Sequence, residues 1–124
     1  MSSAVELSNM SDYMRIVENN PGLLIIKFEA DWCGPCHKIA PFFHELVQIH
    51  RDVIDQVLVV DVDSLFEIYA FMKNKKMLTG IPTLFAYYAG NTSYIPNEIV
   101  VGANIEEINA FFNRCRNHVQ KLRK

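Results

Sequence analysis

The sequence predicts an α/β fold, and three observations predict it. Apolar runs of strand length alternate with segments of helical periodicity. Turn residues such as Asn20-Pro21-Gly22 separate them. One strand-like run leads straight into a pair of cysteines that opens a helix: Ile25-Ile26-Lys27-Phe28-Glu29-Ala30-Asp31-Trp32-Cys33-Gly34-Pro35-Cys36. Half of the 124 residues are hydrophobic and 21% are charged, the composition of a globular chain. The length suits one domain, residues 1–124, with a core that needs no staples.

In chain order, Ala4–Leu7 reads as a short first strand, and Ser8 or Ser11 is placed to cap a helix reaching Asn19. Leu23–Ala30 is almost wholly apolar, as a central strand covered on both faces would be. A helix is expected from Cys33 to about His50, then a second central strand over Val57–Val62. Ser64-Leu65-Phe66-Glu67 has capping-box spacing and predicts a helix to about Lys73. Leu84–Tyr88 and Glu98–Val101 read as strands either side of a loop holding Gly90, Asn91 and Pro96. Asn104 opens the last helix in the same capping style. On it Ile105, Ile108, Phe112, Cys115, Val119 and Leu122 form one apolar stripe. No internal repeat or low-complexity tract interrupts this order.

The cysteine pair carries the chemistry. Cys33 falls at a helix N-terminus, where unpaired N–H groups and the macrodipole favour a thiolate, the form that attacks disulfides. Cys36 follows one turn later, within reach of a mixed disulfide formed on Cys33. Pro35 removes one N–H that would otherwise stabilise the thiolate. That makes the reduced form less stable and turns the pair towards being a reductant. Structural zinc is disfavoured, because it needs about four ligands and no second CxxC is present. Cys115, on its helix stripe, reads as a small buried hydrophobe, with a regulatory thiol as the sharper alternative. The basic residues Arg114, Arg116, Lys121, Arg123 and Lys124 suit the C-terminal end of a helix dipole.

The string WCGPC at 32–36 resembles the thioredoxin family, and further markers follow in family order. Pro41 resembles the proline that kinks the family's active-site helix. Gly80-Ile81-Pro82-Thr83 resembles its cis-proline loop, and Gly90 and Gly102 match its later glycines. The resemblance implies the thioredoxin fold: a central mixed five-stranded sheet flanked by four helices. It implies Cys33 as nucleophile, Cys36 as resolving thiol, and Trp32, Gly34, Pro35, Ile81 and Pro82 as substrate-binding surface, with a cis bond before Pro82. It also implies disulfide-containing protein substrates, recharging by a thioredoxin reductase, and no bound cofactor or metal.

Several positions depart from the family. The Asp usual six residues before the nucleophilic cysteine is Lys27 here, and the usual lysine partner maps to Val59. Glu29 shares a strand face with Lys27. Lys27 therefore has three possible fates: a charged group paired with Glu29 that pulls the Cys36 pKa down, a neutral base, or a solvent-reaching passenger. His37 stands where Lys or Arg is usual, and the Gly90–Gly102 stretch is about four residues longer than in many members.

The formal net charge of −2 gives no sign of a nucleic-acid or membrane partner. No signal peptide, membrane-length apolar run or disulfide framework is visible, so a cytoplasmic monomer is expected. A non-catalytic scaffold is the rival from another class, but it would gain nothing from an intact reactive pair. An isomerase-like relative would more often carry His between the cysteines. The expectation is a protein-disulfide reductase that maintains cell redox homeostasis.

Overall fold

The computed structural model describes residues 7–123, in the order α1 (Met10–Glu18), β1 (Leu23–Glu29), α2 (Gly34–Ile49), β2 (Gln56–Asp61), α3 (Phe66–Asn74), β3 (Thr83–Tyr88), β4 (Glu98–Val101) and α4 (Ile105–Leu122). The strands form one mixed sheet in the order β2-β1-β3-β4. β1 pairs parallel with β2 and antiparallel with β3, and β4 pairs antiparallel with β3. Four helices flank it, as expected. The sheet has four strands among the described residues rather than five. The expected first strand, Ala4–Leu7, lies outside the described residues except for Leu7, which is not in a strand.

β1 is one of two inner strands, with β3, and it is covered on both faces. Leu24, Ile26 and Phe28 pack with Tyr13 and Val17 of α1 and with Ile68 and Met72 of α3. Leu23 and Ile25 pack with Ile39, Phe43 and Leu46 of α2 and with Ile108, Phe111 and Phe112 of α4. The alternation follows from the two-residue period of a strand. It places Lys27, an odd position, on the α2 side. The parallel β1–α2–β2 crossover carries the chain across that face, so β1 ends where α2 begins. The CxxC segment occupies that junction.

Helix ends refine the sequence reading. Asn9, not Ser8 or Ser11, caps α1, its Oδ1 accepting from the Asp12 amide at 2.9 Å. Ser64 makes no capping box. Asp61 Oδ1 accepts from the amides of Asp63 and Ser64, forming an Asx turn, and α3 starts at Phe66 without a side-chain cap. Asn104 caps α4 as expected, accepting from Glu107 at 2.9 Å. On α4, Ile108, Phe112 and Cys115 are buried together with Phe111, which the stripe omitted. Ile105 and Leu122, at the two ends of the helix, are exposed.

The long β3–β4 connection folds down rather than projecting. Gly90 turns the chain at φ +93°, a conformation that favours glycine. Beyond it the Tyr94 carbonyl accepts from the buried Tyr87 hydroxyl at 2.6 Å, and the Tyr94 ring meets Phe71 of α3 edge-on at 5.2 Å. The basic stretch of α4 is tied inward. Arg114 pairs with Glu98 at 2.7 Å, and Arg116 binds Asp52 and the His50 Nδ1. Lys124 lies outside the described residues.

Candidate active site

Cys33 is the N-cap of α2, with extended backbone (φ −85°, ψ 105°). Gly34 and Pro35 form the start of the helix, where a proline's fixed φ and missing N–H are tolerated. The next amide, that of Cys36, points at the Cys33 sulfur from 3.2 Å. A capping serine or aspartate would hold its oxygen in this position. Here sulfur receives the donor, so Cys33 is placed where the positive end of the helix would favour its thiolate once the pair is reduced. Cys33 and Cys36 are joined as a disulfide, with Cα atoms 5.3 Å apart. Both are almost fully buried, at 4% and 3% exposure, so accessibility does not tell them apart. The helix terminus does.

The loop before the helix is pinned from two sides. The Cys33 amide donates to the Ala30 carbonyl at 3.1 Å. His37 Nε2 lies 2.6 Å from the Asp31 carbonyl oxygen, which can only accept, so the imidazole donates. Trp32 is 69% exposed, excluding a core role, and its indole N–H donates to Asp63 at 2.8 Å. Gly34 and Pro35 are also exposed, giving an open rim around two buried sulfurs. Nothing local in the sequence marks Asp63, because its partner stands 31 positions away. The Asx turn after β2 fixes its place.

Across the rim, the Ile81–Pro82 bond is cis, as the resemblance implied. The Ile81 carbonyl oxygen is 3.9 Å from the Cys33 sulfur. Thr83 donates its hydroxyl to the Gly80 carbonyl at 2.6 Å, closing the turn that presents this loop. Pro82 is buried and Ile81 half-buried. The structure thus gathers Trp32, Cys33, Gly34, Pro35, Cys36, Ile81 and Pro82 at one end of the sheet.

Lys27 stands apart from that group. It is 2% exposed, which excludes the solvent-reaching fate. Its ammonium pairs with Glu29 at 2.7 Å and lies 5.1 Å from the centre of the Phe43 ring. The cysteines instead pack with Phe28, Ala30, Val62 and Ile81. Lys27 therefore makes no hydrogen bond to either sulfur, and any influence on them acts through space. Cys115 is 1% exposed between α4 and β3, as the stripe predicted, and burial pushes its thiol up to about 12.

Among the described residues, no cluster of three or more His, Cys, Asp or Glu residues could hold a metal ion, and no helix is long and apolar enough to cross a membrane.

The family model for thioredoxin matches residues 4–114. Thioredoxin-1 of Schizosaccharomyces pombe is 33% identical over 105 residues, covering 85% of this chain and 91% of that protein. Thioredoxin 1 of Plasmodium falciparum is 31% identical over 98 residues, covering 79% and 84%. A solved structure of P. falciparum thioredoxin superposes with a TM-score of 0.68 at 28% identity, covering 87% of this chain and 95% of that one. A dithiol at a helix N-terminus facing a cis-proline loop agrees with these likenesses: the chain belongs to the thioredoxin family, and as a protein-disulfide oxidoreductase it performs thiol–disulfide exchange through Cys33 and Cys36.

Proposed function

We propose that Cys33 is the attacking thiol and Cys36 the resolving one, in a single-domain cytoplasmic monomer recharged by a thioredoxin reductase. The observation that carries this assignment is the Cys36 amide held 3.2 Å from the Cys33 sulfur at the start of α2. That donor and the helix dipole stabilise negative charge on Cys33 and do nothing comparable for Cys36. In the first step the Cys33 thiolate attacks one sulfur of a substrate disulfide. A Cys33–substrate bond forms, the substrate S–S bond breaks, and the second substrate sulfur leaves as thiolate. Cys36 then loses its proton and attacks Cys33, forming the internal disulfide and releasing the other substrate sulfur. Two electrons pass from the dithiol to the substrate, and no bound cofactor is required, because sulfur holds them.

Trp32, Gly34, Pro35, Ile81 and Pro82 supply the docking surface. Their position around the sulfurs supports this, as does the exposed indole, a flat amphipathic ring suited to a wet contact. An extended substrate chain alongside Ile81 would run past Cys33 at about the distance of the present 3.9 Å contact. Lys27, charged and paired with Glu29, acts on Cys36 through its positive field. Lys27→Met should then slow resolution by Cys36 more than the first attack by Cys33. Rapid mixing followed by Trp32 fluorescence separates the two steps, and equal rates for both proteins across pH 6 to 9 would make Lys27 a passenger.

The direct test is a trap. Cys36→Ser should accumulate mixed disulfides on Cys33 with protein substrates, whereas Cys33→Ser should hold none. Trapping on Cys36 in the second variant would reverse the assignment.

A further inference from the structure

Resting on the reductase reading above, we propose that the outer face of α3 selects substrates: it docks an extended segment that carries a large apolar residue and, three positions on, a carboxylate. α3 buries only Ile68 and Met72. Its opposite face presents Phe66, 64% exposed, and then Tyr69, Ala70, Lys73 and Asn74 around a groove of about 330 Å³. These positions recur at three and four residues, so they lie on one face. The Tyr69 ring tilts against Phe66 at 6.2 Å between centroids, forming an aromatic wall.

The groove lies on the helix that begins just after the Trp32 contact. Phe66 follows three residues after Asp63, which holds the Trp32 indole. The far end is basic. Lys73, which lines the groove, lies over the Tyr69 ring at 5.6 Å, and among the described residues it pairs with no carboxylate. Lys75 lies over Phe71 at 5.7 Å, beside the groove rather than in it, with Lys76 next in the chain. Basic side chains at a helix C-terminus suit its dipole. That leaves the exposed phenylalanine at the start of the same helix unaccounted for, and a partner that needs both features accounts for it. Charge complementarity therefore fixes the occupant as apolar and acidic. The seven-residue step along the helix from Phe66 to Lys73 rises about 10 Å. An extended chain covers about the same distance in three residues, which sets the spacing.

The test uses the reduced full chain and disulfide peptides whose flanking arm carries Phe-Gly-Ser-Glu, Phe-Gly-Ser-Lys or Gly-Gly-Ser-Gly. Wild type should reduce the acidic-arm peptide with kcat/KM about tenfold above the Gly-Ser arm. Phe66→Ser should erase that preference through KM, and Lys73→Glu should transfer it to the lysine arm. Reduction of a small disulfide, bis(2-hydroxyethyl) disulfide, should be unchanged in both variants, because neither residue touches the sulfurs. Equal rates on all arms, or variants that keep the wild-type preference, would overturn the proposal. So would a concentration-dependent dimer in sedimentation that Phe66→Ser abolishes, since the face would then belong to a second copy. A wild type inert on the small disulfide would instead refute the underlying reductase reading.

Discussion

Cys33 and Cys115 are buried to nearly the same extent, at 4% and 1% exposure, yet they occupy opposite chemical settings. Cys33 ends a strand-to-helix junction where an amide is aimed at its sulfur. Cys115 lies in the middle of α4, where backbone amides are engaged in helical bonds and the side chain meets the sheet. Burial raises its thiol most, and nearby Glu98 adds to this, while the Tyr88 hydroxyl and Arg114 pull back. Burial alone does not decide whether a cysteine reacts. The deciding factor is which groups the backbone offers to the charged form, and that depends on position within an element.

The largest test of this contrast is functional. Cys33→Ser should reduce insulin-disulfide reduction to the uncatalysed rate, whereas Cys115→Ala should leave turnover nearly unchanged at a stability cost of about 1 kcal/mol. In the reduced protein at pH 8, iodoacetamide should label Cys33 well before Cys36, and Cys115 only after unfolding, as read by peptide mass spectrometry. Early labelling of Cys115 would break the comparison.

Lys27 sharpens it with a different group. Here burial meets a charge that finds a partner: the ammonium is enclosed while Glu29 keeps part of its carboxylate in water. Removing one end should therefore not equal removing the other. Glu29→Gln leaves a buried ammonium without its carboxylate and should cost about 3 kcal/mol in urea unfolding. Lys27→Met leaves a carboxylate that can turn to solvent and an apolar chain over Phe43, and should stay within about 1 kcal/mol of wild type. Equal costs would mean that the pair is solvated.

The Cys115 thiol also predicts how stability depends on alkaline pH. Its pKa rises from 9.0 in the unfolded chain to about 12 in the fold. Between those values the folded state holds a proton that the unfolded state has lost. The contribution is complete below pH 9 and fades as pH rises towards 12, at up to about 1.4 kcal/mol per pH unit. Tyr88, its hydroxyl also raised chiefly by burial, loses stability in the same direction. Cys115→Ala should flatten the decline in melting temperature from pH 9 to 11 without removing it. An unchanged slope would show that the thiol titrates normally.

Much of the site was legible because its signals are local. Leu23–Ala30 announced β1 through an apolar run covered on both faces, and Trp32–Cys36 carried its own helix start in Pro35. Pro82 was legible only through resemblance, since nothing in Gly80-Ile81-Pro82-Thr83 alone points to the sulfurs. Other features were hidden for physical reasons. Ser8, Asn9 and Ser11 are all competent caps, and only the geometry at the Asp12 amide selects Asn9. Ser64 lost its expected role because Asp61 took the nearby amides first. The Asp63 partner of Trp32 and the Phe43 cover of Lys27 join residues far apart in sequence, and no periodicity encodes such contacts. The pairing of Lys27 with Glu29 was readable from their shared strand face, but not the burial of the ammonium over Phe43 of α2, which a solvent-reaching side chain would have avoided.

The smallest effect tests how much of Cys33's character comes from the helix end and how much from the loop before it. His37 ties that loop to α2 through the Asp31 carbonyl, and both residues are exposed. A single exposed hydrogen bond contributes about 0.5–1.5 kcal/mol at most, since water competes for both partners. His37→Ala keeps the backbone amide of residue 37 on the Cys33 carbonyl and leaves the Cys36 amide on the sulfur. If the helix end dominates, the rate of Cys33 alkylation at pH 7 should change less than about threefold, and the melting temperature by only a few degrees. Trp32 fluorescence should broaden or shift, because the indole belongs to the loop that is released. A fall in alkylation of tenfold or more, with the fold intact, would move the origin of Cys33 reactivity from the helix terminus to the segment Ala30–Trp32. The contrast with Cys115 would then rest on loop order rather than on the amide at the start of α2.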